Sequence, residues 1–314
     1  MTIERASTAG QSQFLLQQVN NASIQLQKTQ TQVATGKVST DYTGLKDKVA
    51  QLEAARTAAA RAEGYQQSTT LAVNQADLQD SQISALGNLA DQLRQAITKA
   101  VADADASTLM TTAQGIFDQV SQILNTKDAN GNYLYGGDND NVAPLNVTNL
   151  SQLQALPSVA NAFSNGTQKK SVMIGDGQTV QVGVLASDIA SGLMQTLKDL
   201  ATFDAGGTGN FAGTQPLSGA QDTFLTSKIS QIASAAAGIN AAAAGNGYVY
   251  NQLKDAVDHQ DSLQTLYKTF VSNIEDVDMP SAITQLNQNQ VALQAALQVS
   301  SKLNQISLLN YLQP

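Results

Sequence analysis

Residues 11–32 read QSQFLLQQVNNASIQLQKTQTQ, and residues 281–314 read SAITQLNQNQVALQAALQVSSKLNQISLLNYLQP. Each run is rich in Gln and apolar residues and holds a single charge, Lys28 in the first and Lys302 in the second. A surface helix of a solitary soluble protein carries a charged face opposite its apolar stripe. Two long, nearly uncharged segments, one toward each end of the chain, are instead the surfaces of helices that meet other protein.

The first segment spans 8–35 as a predicted helix. Leu15, Val19, Ala22, Leu26, Thr29 and Val33 recur in steps of four and three, a heptad-like seam. Ala22 and Thr29 bury little, so such a helix is marginal alone and needs a partner. Gly36 is the expected stop. The second segment repeats the pattern with Ile283, Leu286, Leu293, Ala296, Val299, Leu303 and Ile306.

Residues 45–126 contain no Pro and few Gly, and read as the longest helical stretch. Leu45, Val49 and Leu52 face one way. Leu86, Ala90, Leu93, Ile97 and Ala100 resume the four-three rhythm. It restarts with Leu109, Ala113, Ile116, Val120 and Ile123 after a predicted break near 103–107. Helix returns from about Leu217 through Phe224, Ile229 and Ile232 to the small-residue run 234–244, with an interruption expected at Gly245-Asn246-Gly247. Leu253, Val257, Leu263, Leu266, Phe270 and Ile274 then continue the apolar pattern up to an acidic joint at Glu275, Asp276 and Asp278. At 1.5 Å per residue such helices reach roughly 50–100 Å, longer than a compact domain.

Between these flanks the character changes. Asn130-Gly131 signals a turn, Tyr133-Leu134-Tyr135 a strand, and Val172–Ile174 with Thr179–Val182 a β-hairpin around Gly175-Asp176-Gly177. Ser187 is the predicted cap of a helix bearing Ile189, Leu193, Leu197 and Leu200, and the Gly-rich stretch 205–213 closes the region. The predicted fold is mainly α: a long antiparallel helical rod or coiled-coil bundle made by the N- and C-terminal segments, with a small α/β insertion at the far end.

Composition narrows the function. The net charge of −8 argues against nucleic acid, which needs clustered Lys and Arg. With no Cys there is no disulfide scaffold, thiolate zinc site or Cys nucleophile. No run approaches the roughly 18 apolar residues of a membrane span, and residues 1–30 lack the continuous apolar core of a cleaved signal peptide. Asp128-Ala129-Asn130-Gly131-Asn132 begins like a calcium loop, but position six is Tyr133 and position twelve Asn139, so a plain turn is preferred. His259 has no second His or Cys to join it and reads as a solvated helical residue. No catalytic, cofactor or metal site is predicted. The candidate functional residues are apolar: Leu15, Val19, Leu26, Val33, Ile283, Leu286, Leu293, Leu297, Leu303 and Ile306, as an assembly interface.

STAGQSQFLLQQVNNASIQLQKTQTQVATGKV (7–38), GNYLYGG (131–137) and IEDVDMPSAITQLNQNQVALQAALQVSSKLNQISLLNYL (274–312) together resemble the flagellin superfamily, on the side of its hook-associated junction proteins. Arg5-Ala6-Ser7-Thr8 differs from the Ile-Asn-Thr-Asn-like opening of filament flagellins, which favours a junction protein. Asp41-Tyr42-Thr43 stands where the family often has an Asp-Asp-Pro-like group. LADQLRQAI (89–97) resembles the segment that animal innate receptors recognise in flagellins, with Gln95 in place of Glu; the helix-core reading of Leu89, Leu93 and Ile97 is preferred.

The resemblance implies a structural subunit of the bacterial flagellum, not an enzyme, which joins hook to filament by polymerising through paired terminal helices. It implies three parts: an inner terminal domain (1–38 and 279–314) that orders on assembly, a helical rod domain (39–127 and 216–278), and an outward-facing insertion (128–215). The implied partners are copies of itself in a ring or tube, neighbouring hook-associated proteins and flagellin, and an export chaperone on the C-terminal helix. The implied location is extracellular, reached through the flagellar secretion channel without a cleaved signal peptide. The alternatives are a flagellin that forms the filament itself and, from another class, a surface glycan-binding or hydrolytic module in 128–215.

Overall fold

The computed structural model describes the backbone of residues 2–213 and 215–312 and the side chains of 10, 13–213 and 215–302. The chain is mainly helical: α1 (Thr2–Thr35), α2 (Val49–Ala102), α3 (Leu109–Leu124), α4 (Leu150–Ala155), β1 (Lys170–Gly175), β2 (Gln178–Val182), α5 (Ala186–Asp204), α6 (Gly219–Glu275) and α7 (Met279–Leu312). It divides into two compact units, residues 1–61 with 263–314, and residues 62–262.

In the second unit, α2 and α6 run antiparallel. Asn246 Nδ2 donates to the Ala76 carbonyl at 2.8 Å, and Gln66 Nε2 to Asp261 Oδ1 at 3.2 Å. Helix α6 passes unbroken through Gly245-Asn246-Gly247, contrary to the expected interruption. The helix-weakening glycines lose because Asn246 is buried against α2 and satisfied there. The predicted break at 103–107 is present. Asp105 N–H donates to the Ala100 carbonyl and Ala104 N–H to that of Val101, with Ala104 at φ +51°, a Schellman-type stop.

The larger of two apolar clusters in this unit joins α2, α3, α5 and α6. Leu86, Ala90, Leu93, Ile97 and Ala100 of α2 pack with Leu109, Ala113, Ile116, Phe117 and Val120 of α3, Ile189, Leu193, Met194, Leu197 and Leu200 of α5, and Leu225, Ile232 and Ile239 of α6. Leu89, Leu93 and Ile97 thus lie in the core, as the helix-core reading expected. Gly192 is required where α5 meets α6, since a Cβ there would lie 2.9 Å from that of Ala235. The short helix α4 is closed at its start by Asn149, whose Oδ1 accepts from Gln152 N–H at 2.8 Å. At its end Lys198 Nζ donates to the carbonyls of Leu153, Gln154 and Leu156, at 3.2, 2.7 and 2.5 Å.

The β1–β2 hairpin is antiparallel, pairing Val172 with Val180 and Lys170 with Val182. Val180 and Val182 face inward against Ala72, Ala76 and Leu253. Ser68 and Gln260 reach the carbonyls of Met173 and Ile174, tying the hairpin to both long helices.

Two local expectations are corrected. Tyr133-Leu134-Tyr135 forms no strand, only an isolated bridge from Tyr133 to Lys127. Its amides diverge: Tyr133 N–H goes to Asp140 and Leu134 N–H to Thr126, so no ladder propagates. Burial wins there. Tyr135 is fully buried with its hydroxyl donating to Gln82 Oε1 at 2.8 Å, and Gln79 Nε2 holds the Leu134 carbonyl. Ser187 does not cap α5. The helix begins at Ala186, and Asn165 Oδ1 from the preceding loop accepts the Ser187 N–H.

Candidate assembly interface

In the first unit, α1 and α7 lie antiparallel. Asn289 Nδ2 donates to Thr29 Oγ1 at 3.3 Å and approaches the Gln25 carbonyl at 3.4 Å, while Lys37 pairs with Asp276. The six predicted seam positions of α1, Leu15, Val19, Ala22, Leu26, Thr29 and Val33, are all half-buried or buried. On α7 the matching positions are Ala282, Leu286, Asn289, Leu293, Ala296 and Ser300. Of the candidate residues, the structure brings together Leu15, Val19, Leu26, Val33, Leu286 and Leu293 along one intrachain seam. Ile283 and Leu297 stand outside it, exposed. Leu303 and Ile306 lie in the last turns of α7, outside the described side chains.

The seam does not exhaust the apolar surface of the pair. Phe14 (60% exposed), Leu16 (63%) and Ile24 (52%) remain open on α1, and Ile283, Val291 (65%), Leu297 (50%) and Val299 on α7. At about 100° per residue, Ile24 and Val291 sit opposite their seams, while Phe14, Leu16, Leu297 and Val299 occupy flanks. Helices that are apolar all round belong in a protein interior. Phe14, Leu16, Ile24, Val291 and Val299 were absent from the candidate set. The signal that finds them is the near absence of charge, with Lys28 alone in 11–32 and Lys302 alone in 281–314.

Around the start of α7 the charges gather. Lys37 Nζ lies 2.6 Å from Asp276 Oδ1 and 3.3 Å from Glu275 Oε2. Arg56 pairs with the other oxygen of Glu275 and lies 3.2 Å from Glu53. Hydrogen bonds from Lys37 and then from the Ser272 hydroxyl hold the Asp276 carboxyl below its ordinary value of 3.8. A depressed carboxyl pKa stabilises the fold above the ordinary value, and that stabilisation is lost as pH falls through the folded-state pKa. Carboxyl NMR should therefore show Asp276 titrating below 3.8, and Lys37→Met should return it toward the ordinary value.

Elsewhere polar candidates are accounted for by local bonding. Asp128 Oδ1 accepts the N–H groups of Asn130 and Asn132 at 2.8 and 2.9 Å, closing a turn. His259 is exposed on α6. Leu266 and Phe270, expected to continue the apolar stripe of α6, are exposed as well. Among the described residues no cluster of three or more metal-ligating side chains occurs, and no helix is long and apolar enough to cross a membrane.

Residues 229–312, most of α6 and all of α7, match the bacterial flagellin C-terminal helical region. Flagellins and hook-associated proteins are structural components of the flagellum, not enzymes. A curated relative, flagellar hook-associated protein 3 of Escherichia coli (strain K12), is 28% identical over 147 residues, covering 45% of this chain and 46% of that protein. The match thus spans about half the length of that relative. A solved structure described as a flagellar hook-associated protein from Vibrio parahaemolyticus shares the fold, with a TM-score of 0.61 over 75% of this chain and 99% of that one, at 16% identity. These matches bear out the resemblance read from the two chain ends.

Proposed function

We propose that this chain is a structural subunit of the flagellum that joins hook to filament, polymerising through the α1/α7 pair. The observation that carries the reading is the pair itself: two nearly uncharged helices, zipped along one seam, with large apolar side chains left open on the flanks and back. Each buried Leu, Ile or Val side chain contributes about 1.5–3 kcal/mol, so several per copy can offset the ordering that assembly requires. A charge in their place would carry a desolvation penalty. The candidate residues divide by role in this reading. Leu15, Val19, Leu26, Val33, Leu286 and Leu293 hold the pair together, and Ile283 and Leu297, with Leu303 and Ile306 further along α7, meet neighbours.

The three-part division, with 1–38 and 279–314 innermost, 39–127 and 216–278 next, and 128–215 outermost, belongs to the same proposal. So do neighbouring hook-associated proteins and flagellin as partners, a chaperone on α7, and export without a cleaved signal peptide. Electron microscopy of purified protein offered isolated hooks tests it. A thin layer limited to the hook tip is expected. Unlimited growth into long tubes would identify a filament flagellin instead.

A further inference from the structure

The second unit holds three Asn-Gly pairs: Asn130-Gly131, Asn165-Gly166 and Asn246-Gly247. In such a pair the backbone nitrogen of the glycine can attack the side-chain amide of the asparagine, because no Cβ on the second residue shields the approach. The attack needs an asparagine side chain free to swing and a glycine N–H that can leave its hydrogen bond. The reacting groups are the same in all three pairs, so their surroundings decide which pair reacts.

Two of the pairs are locked. Asn246 is buried in the middle of α6 with its Nδ2 on the Ala76 carbonyl at 2.8 Å, and Gly247 lies inside the helical ladder. Asn165 Nδ2 donates to the Ser187 hydroxyl at 3.0 Å and the Gly166 carbonyl at 2.9 Å, while its Oδ1 accepts the Ser187 N–H at 3.2 Å. Gly166 N–H donates to the Gly136 carbonyl at 2.8 Å, and Asp138 fills the space where a Gly166 Cβ would stand. Asn130 differs on each count. Asn130 and Gly131 are both exposed, in the turn that follows α3. The Asn130 side chain makes no hydrogen bond among the described residues; only its backbone N–H is bonded, to Asp128. Gly131 sits at φ +85° with open space beside it. Its N–H has one partner, the Asp128 carbonyl at 3.0 Å, and opening this surface turn releases it without disturbing the core.

We propose that Asn130 is a site of spontaneous chemical modification, an ageing mark that the fold permits there and denies at Asn165 and Asn246. Gly131 N yields its proton to a solvent base and bonds to Asn130 Cγ. The Cγ–Nδ2 bond breaks, and Nδ2 leaves as ammonia with a proton taken from water. Water then opens the cyclic imide at either carbonyl, which leaves aspartate or isoaspartate at position 130. Either product sets a new carboxylate beside that of Asp128, whose Oδ1 accepts the N–H groups of Asn130 and Asn132. The isoaspartate also adds a carbon to the main chain, inside the turn that the Lys127–Tyr133 bridge closes. The reaction needs only water and does not depend on polymerisation.

Peptide mapping by mass spectrometry, on the full chain held in warm, mildly alkaline buffer, tests the assignment. Conversion of Asn130 to the acid should outpace that of Asn165 and Asn246 by at least about tenfold, because the locked pairs must first open the structure around them. It should quicken as pH rises, since the attacking nitrogen must lose its proton. In guanidinium chloride the three rates should draw together. Equal rates in the native chain would overturn the proposal, because the fold would then protect nothing. So would an advantage for Asn130 that persists undiminished in denaturant, because the flanking residues rather than the fold would be choosing the site. Gly131→Ala should slow conversion at Asn130 in the denatured chain, where the left-handed φ is no longer imposed; an unchanged rate would remove the cyclic route.

Discussion

Replacing Val291 and Leu297 together by Asp should leave the free chain folded and abolish its incorporation at the hook tip. Both side chains are at least half exposed in the free chain, so the substitutions remove little burial and should change its stability by no more than about ±0.5 kcal/mol each. In the assembly each position would lose about 1.5–3 kcal/mol of apolar burial. Each new carboxylate would add a desolvation penalty of several kcal/mol. Every 1.4 kcal/mol is a factor of ten in affinity, so the double variant should bind more than about a hundredfold more weakly. Circular dichroism and sedimentation of the free chain, followed by electron microscopy of hooks offered the variant, separate the two effects. Incorporation at the native level would mean that this face of α7 meets no neighbour. Leu293→Asp is the contrasting control, because it strikes the intrachain seam between α1 and α7 rather than the open apolar surface.

Phe117→Ala should lower the stability of the second unit by about 3–5 kcal/mol. The ring is fully buried in α3 within the core shared by α2, α3, α5 and α6. Truncation removes its transfer free energy and leaves a cavity whose walls belong to long helices that cannot collapse inward easily. For a unit of this size the melting temperature should fall by roughly 10 °C. Leu71→Ala, at an exposed position of α2, should change it little. Scanning calorimetry reads both, and a Phe117→Ala transition at the native temperature would contradict the packing described.

Much of this was legible because helices write their burial into the sequence with a fixed period. The seam from Leu15 to Val33, the stripes from Leu86 to Ala100 and from Leu109 to Val120, and the break between them follow from spacing and from the Asp-rich segment at 103–107. The β1–β2 hairpin announced itself through alternation around Gly175-Asp176-Gly177. Spacing fails where apolar residues surround a helix. On α7 the pattern put Ile283, Leu286, Leu293 and Val299 in one set, whereas only Leu286 and Leu293 of these face α1. Asn289, a polar residue in the seam, carries no apolar signal at all. The Lys37–Asp276 ion pair was invisible for another reason: the two residues are 239 apart, and nothing local to either names the other. Tyr133–Tyr135 misled because aromatic residues serve a strand and a buried turn equally well.

The antiparallel partnership of α1 with α7 also dictates an order of events. Thr29 finds Asn289 only 260 residues later in the chain, so α1 gains its partner long after it is made. During synthesis α1 must wait with its apolar side chains unmatched until α7 is made, while the second unit can already close once residue 262 has emerged. A ribosome stalled before residue 279 would therefore hold a finished core and an unmated first helix, open to whatever apolar surface is nearby.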